Sequence, residues 1–100
     1  MLTVDFLPLA QSELDDTFEY YEFQQLDLGY RFIAEIRNSI ELIVSYPEAW
    51  TKSSKRTRRC LVKTFSYGIV YQYIDDAILI VAIANLHKEP DYWISRVLES

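Results

Sequence analysis

From Thr57 to Trp93 the chain reads TRRCLVKTFSYGIVYQYIDDAILIVAIANLHKEPDYW, and no other stretch limits the possible folds so tightly. Short runs rich in β-branched and aromatic residues alternate between apolar and polar, and turn-forming residues separate them. The pattern predicts three strands in series, about Arg56 to Thr64, Tyr67 to Ile74 and Ala77 to Asn85. Ser66 falls in the first connection and Asp75-Asp76 in the second, where residues that tolerate left-handed backbone suit a tight hairpin. The third of these strands is apolar on both faces. Such a strand belongs inside a sheet, with helices covering one side.

The preceding half supplies those helices. Leu2 to Phe6 alternates enough for a first strand. Pro8 then opens a helix, because proline suits the first turn. Leu14, Phe18 and Tyr21 recur at i, i+4, i+7 as one apolar stripe, and Asp15, Asp16, Glu19 and Glu22 take the other side. A break at Leu26–Gly29 separates this helix from a second, for which Asp27 is the expected N-cap. Phe32, Ile36, Ile40 and Ile43 repeat at helical spacing, widened by Ile33 and Val44. Pro47 ends the second helix by pushing Tyr46 out of the α region. Glu48 to Lys55 reads as a polar loop around Trp50. Pro90 breaks the chain after the last strand, and Asp91 to Leu98 is expected to form a short terminal helix.

The order β-α-α-β-β-β, helices first and strands after, predicts an α+β fold. A helical hairpin should pack on one face of a small twisted antiparallel sheet, in one domain spanning residues 1–100. Two glycines and three prolines exclude a low-complexity chain. The longest apolar run, Ala77 to Ala84, is far too short to span a bilayer. Residues 1–10 lack a basic region and contain Asp5, unlike a secretory leader. Cys60 is the single cysteine, so no internal disulfide can form, and a cytoplasmic location is expected. Inside a strand pattern, Cys60 reads as a small buried hydrophobe rather than a nucleophile.

Charge is distributed unevenly. Residues 1–50 hold ten acids and two bases, whereas residues 51–100 hold eight bases and five acids. Lys52, Lys55, Arg56, Arg58, Arg59 and Lys63 follow one another with no acid between them. A basic strip on an acidic body suits an anionic partner, either nucleic acid or an acidic peptide. The plainer reading is a charged strand edge that discourages aggregation.

Several of these segments together resemble the RelE/ParE superfamily of bacterial toxins. Arg58-Arg59 followed by Phe65-Ser66-Tyr67-Gly68-Ile69-Val70-Tyr71 resembles the family's arginine strand and FPY-x-I-x-Y hairpin, with serine where many members carry proline. Ala82-Ile83-Ala84-Asn85-Leu86-His87-Lys88-Glu89-Pro90-Asp91-Tyr92-Trp93 resembles its AVAH-x-R-R-x-P-x-Y-W tail. Leu9-Ala10, Leu14, Tyr20-Tyr21 and Ser45-Tyr46-Pro47-Glu48 fit the family's two helices and the proline after them. The likeness covers nearly the whole chain.

The resemblance implies the toxic half of a type II toxin–antitoxin pair, neutralised by an antitoxin in a hetero-oligomer. RelE-like members cut messenger RNA on the ribosome, and ParE-like members, among them plasmid-stabilisation toxins, poison DNA gyrase. RNA cleavage needs a base for the 2′-hydroxyl, a cation at the phosphate and an acid at the leaving oxygen. Here the candidates are Arg58 and Arg59 at the phosphate, His87 or Glu48 for proton transfer, and Tyr92 or Trp93 for stacking a base. Where the family tail often has histidine and two arginines, this chain has Asn85, His87 and Lys88, and Glu89 adds a negative charge. Net charge of −5 also suits a ribosome poorly. The expectation is therefore a ParE-like toxin that is not an enzyme. The alternatives are a ribosome-dependent endoribonuclease and an inactive module that only pairs with its antitoxin. Lys52, Lys55, Arg56, Arg58, Arg59, Lys63, Tyr92 and Trp93 are the expected partner-binding residues. No cofactor, metal or membrane contact is expected, since His87 has no credible ligand partner and no phosphate loop is present.

Overall fold

A computed structural model describes residues 2–97. Its elements are β1 (Thr3–Phe6), α1 (Pro8–Gln24), α2 (Leu28–Ser45), β2 (Thr51–Lys52), β3 (Arg58–Val62), β4 (Tyr67–Ile74) and β5 (Ala77–Asn85). One 3₁₀ turn follows at Ile94–Arg96, in place of the longer helix expected over Asp91 to Leu98. Leu98 lies outside the described residues. No helix among the described residues is long and apolar enough to cross a membrane.

The five strands form one sheet in the order β1-β5-β4-β3-β2. The three long strands pair antiparallel as consecutive hairpins. β1 departs from the antiparallel expectation. It runs parallel to β5, with Thr3 to Phe6 opposite Ala77 to Ile80, so the sheet is mixed. The reason is topological: the chain leaves β1 into two antiparallel helices and reaches β5 only after three further strand-to-strand turns. β2 is an element that the sequence pattern missed. Its two residues lie within the expected polar loop and pair Thr51 with Arg59 and Lys52 with Arg58. The short β2–β3 connection is held by buried Thr57, whose hydroxyl meets Ser53 Oγ at 3.0 Å and Ser54 Oγ at 2.5 Å.

The β4–β5 turn uses the chemistry its sequence offers. Asp75 and Asp76 adopt φ of 52° and 60°, the paired left-handed geometry of a two-residue hairpin. Farther along, Tyr71 faces Ile80 whereas Val70 faces Ala82, which leaves Val81 as an extra residue in a bulge. The bulge shifts alternation by one. Ile78, Ile80 and Ile83 therefore face the helices, and Val81, Ala82 and Ala84 all face the other way.

Two cores result. The larger lies between helices and sheet and is built on Phe32, Ile36, Ile43, Ile69, Tyr71, Ile78, Ile80 and Ile83. Cys60 is buried there, 1% exposed, and burial raises its thiol pKa even though Ser39 hydrogen bonds to it. At one end, Tyr21, Phe32, Phe65 and Tyr67 meet edge-on and tilted, with centroids 5.0 to 6.4 Å apart. The smaller core covers the opposite sheet face, where Trp93 folds back onto Val70, Val81, Ala82 and Ala84.

The hairpin turn between the helices corrects one expectation. Asp27 sits in the left-handed region at φ 70° and makes no side-chain cap. Glu22 of α1 supplies the cap instead, its Oε1 accepting from Gly29 N at 2.9 Å and Tyr30 N at 3.4 Å. Gly29 is required there, because a Cβ would come within 2.6 Å of Phe18 O and Glu22 Cγ. The interhelical stripe predicts the outcome of substitution. Ile36→Ala should cost about 2–5 kcal/mol in chemical denaturation through the cavity it leaves. Glu19→Ala, on the exposed side of α1, should stay within about 0.5 kcal/mol.

Candidate functional site

Strand alternation divides the basic strip between the two faces of the sheet. Arg58 shares the helix-side face with Cys60 and Val62, and its Nη1 donates to the Trp50 carbonyl at 2.9 Å. It lines a cleft with Glu48, Lys52, Lys55, Arg56 and Tyr73, where four cations meet one acid. Directly opposite on β4, Tyr71 is fully buried and donates its hydroxyl to the Pro47 carbonyl at 2.6 Å. Burial pushes its phenol up to about 12, against the pull of the Arg58 charge.

Arg59 faces the other way. Its aliphatic stem lies over Gly68, where a Cβ would approach Arg59 Cγ and Cδ to 3.1 Å. It lines a second cleft with Lys88, Glu89, Asp91, Tyr92 and Trp93. That cleft holds about 90 Å³, well below the roughly 300–1,000 Å³ of ordinary ligand sites. Lys63 follows directly after β3 and is exposed. His87 is exposed in a third place, beside Tyr20, Tyr21, Phe65, Ser66, Tyr67 and Asn85. Its backbone N–H donates to Asn85 Oδ1 at 2.9 Å. The three catalytic candidates Arg58, Arg59 and His87 thus line three separate clefts. Glu48 joins only Arg58.

The two aromatic residues of the tail are committed to packing. Trp93 is 4% exposed and is a core residue, not the surface platform expected of it. Tyr92 is half-buried. Its hydroxyl donates to Glu13 Oε2 at 2.5 Å, and its ring lies 5.2 Å from the Arg96 guanidinium and 5.6 Å from Lys88 Nζ. Burial, then the hydrogen bond to Glu13 and the Glu13 charge, raise the Tyr92 phenol well above its ordinary range.

Glu13 and Arg96 form a cluster that the sequence does not announce. Arg96 Nη1 and Nη2 reach the two Glu13 oxygens at 2.8 and 3.0 Å, a bidentate pair. Arg96 Nη1 also donates to Val81 O at 3.1 Å, and Glu13 Oε1 accepts from Ile83 N at 3.1 Å. Donating to the Glu13 carboxylate raises the Arg96 pKa further. The partners are 83 positions apart, beyond the reach of any local spacing rule. Among the described residues no three His, Cys, Asp or Glu side chains gather as a metal site requires.

A model of the ParE toxin of the type II toxin–antitoxin system parDE matches residues 4–90. The chain belongs to the ParE toxin family. It is a toxin of the ParE/RelE superfamily of type II systems. Solved structures agree on the fold. The chromosomal ParDE toxin–antitoxin system of P. aeruginosa contains a chain similar at TM-score 0.62 and 13% identity, covering 87% of this chain and 98% of that one. A mutant of E. coli toxin RelE in complex with an antitoxin RelBc peptide is similar at TM-score 0.60 and 13% identity, covering 99% and 97%. No curated protein matches by sequence.

The buried phenol of this ParE-family chain gives a measurable signature. Tyr71 is neutral when folded, so its stabilising effect is complete below the ordinary tyrosine value and declines as pH rises through about 12. Ultraviolet titration should show late phenolate steps from Tyr71 and Tyr92; Tyr71→Phe should remove the Tyr71 step and leave that of Tyr92, and the variant's alkaline unfolding should depend less on pH.

Proposed function

We propose that this toxin disables a protein target, DNA gyrase, and is held inactive in the cytoplasm by a cognate antitoxin that docks on the basic strip. The dispersal of Arg58, Arg59 and His87 over three clefts carries the first half of the reading. Cleaving RNA through its 2′-hydroxyl requires proton-transfer groups and cations around one phosphate. Here the histidine stands among tyrosines, apart from both arginines. The Arg59 cleft is small and also carries Glu89 and Asp91, which repel phosphate. Tyr92 and Trp93, the candidates for stacking a base, are engaged by Glu13 and by the second core. Inhibiting a protein needs none of these groups, only a shaped surface.

The cleft of Lys52, Lys55, Arg56 and Arg58 supports the second half, because its cations suit carboxylates on a peptide. The similar RelE structure, solved with an antitoxin peptide, is consistent with such a partner. Reversing Arg58 and Arg59 to glutamate should weaken the complex with the antitoxin, measured by titration calorimetry, through lost pairing and new repulsion. Unchanged affinity would move the docking surface elsewhere.

The target reading has its own test. The toxin is expressed without antitoxin, messenger RNA ends are mapped, and purified toxin is assayed on gyrase supercoiling. Supercoiling should be blocked and messenger RNA left intact. Codon-positioned cuts that vanish in His87→Ala, with supercoiling unaffected, would establish the endoribonuclease instead.

A further inference from the structure

The tip of the helical hairpin displays apolar side chains that the fold does not use. Phe23 is 96% exposed, Leu26 80% and Tyr20 57%. Tyr20 and Phe23 lie one turn apart on α1, and their stripe continues backwards through the exposed acids Glu19 and Asp16 at helical spacing. Leu26 extends it into the turn. Toward the sheet, Tyr20 borders the cleft of Tyr21, Phe65, Tyr67 and His87, so the apolar strip and the aromatic cleft are continuous. Single exposed hydrophobic residues are ordinary, but a connected set on one helix face marks a contact surface.

The tip is also rigid. Glu22 caps α2 from α1, Gly29 packs directly on Phe18, and Phe18 meets Tyr30 edge-on at 5.0 Å. A side chain presented from such a frame loses little further freedom on binding.

The local charge identifies the kind of partner. α1 carries five acids and no lysine or arginine. Two copies of this chain meeting tip to tip would set acid against acid. A tip seated on another copy's basic strip would be a head-to-tail contact that builds rings or filaments rather than a two-fold pair. The antitoxin is assigned to the basic clefts, and those clefts share no residue with the tip. What remains is a different protein, offering an apolar socket bordered by lysine or arginine.

We propose that Tyr20, Phe23 and Leu26, flanked by Asp16 and Glu19, form the surface through which this toxin grips its target protein. The inference deepens the proposed gyrase reading and rests on it. Phe23→Ser/Leu26→Ser and, separately, Glu19→Lys are compared with wild type for inhibition of purified gyrase supercoiling, and circular dichroism verifies folding. The double variant should need at least about tenfold more protein for half-inhibition, as expected when central interface anchors are truncated. Glu19→Lys should weaken inhibition to a smaller extent, and more at low salt than at high salt. Wild type and both variants inhibiting equally would overturn the tip surface and leave the gyrase reading standing. Wild-type toxin that leaves supercoiling untouched would overturn both. If the double variant fails to fold, Glu19→Lys decides, and undiminished inhibition by it overturns the proposal.

Discussion

The bidentate pair between Glu13 and Arg96 holds the sheet edge where β5 outruns its neighbour β1. β1 stops at Phe6, opposite Ile80, while β5 continues for five more residues. Past that point the edge of β5 has lost its neighbour, and the bulge at Val81 disturbs it further. Leu7 N takes the Ile80 carbonyl at 2.9 Å, Arg96 takes that of Val81, and Glu13 accepts from Ile83 N. Two side chains thus stand in for a missing strand. A desolvated ion pair by itself adds little to stability, but here each partner also satisfies buried backbone, so losing either would orphan several groups at once. The same pair anchors the segment that lays Trp93 over the second face. One contact therefore links the first helix, the sheet edge and the last turn among the described residues.

Local chemistry was legible in the sequence, and long-range pairing was not. The β4 and β5 limits, the Asp75-Asp76 turn, the Pro8 start of α1 and the end of α2 before Pro47 follow from alternation and from backbone rules acting within a few residues. The parallel seating of β1, the capping of α2 by Glu22 and the Glu13–Arg96 pair depend on segments that meet only after folding. Asp27 illustrates the difference. Its type suited a cap, but the turn needed left-handed backbone more, and aspartate tolerates that conformation. β2 was invisible because two residues cannot display a period. In the candidate site, the parting of adjacent Arg58 and Arg59 is a direct result of strand alternation. Tyr92 and Trp93 misled, because an aromatic pair near a chain end looks the same whether it covers a core or awaits a ligand.

The molecule keeps its charges apart. Acids gather on α1 and cations around the β2–β3 edge, so the domain has a strong electrical polarity despite a modest net charge. Such polarity orients partners before contact and speeds correct encounters. It also lets one small domain present two chemically opposite surfaces.

Cys60 is the one cysteine of the chain, and it lies sealed beneath α2 with its thiol held protonated by burial. Thiol reagents attack the thiolate, so the folded protein is silent towards maleimides and disulfide dyes. A cysteine placed at any exposed position would then be the sole reactive handle. Fluorophores and spin labels can be attached one site at a time without first removing the native sulfur. The same silence makes Cys60 a clock for opening: its labelling rate under native conditions reports how often the helical layer lifts from the sheet.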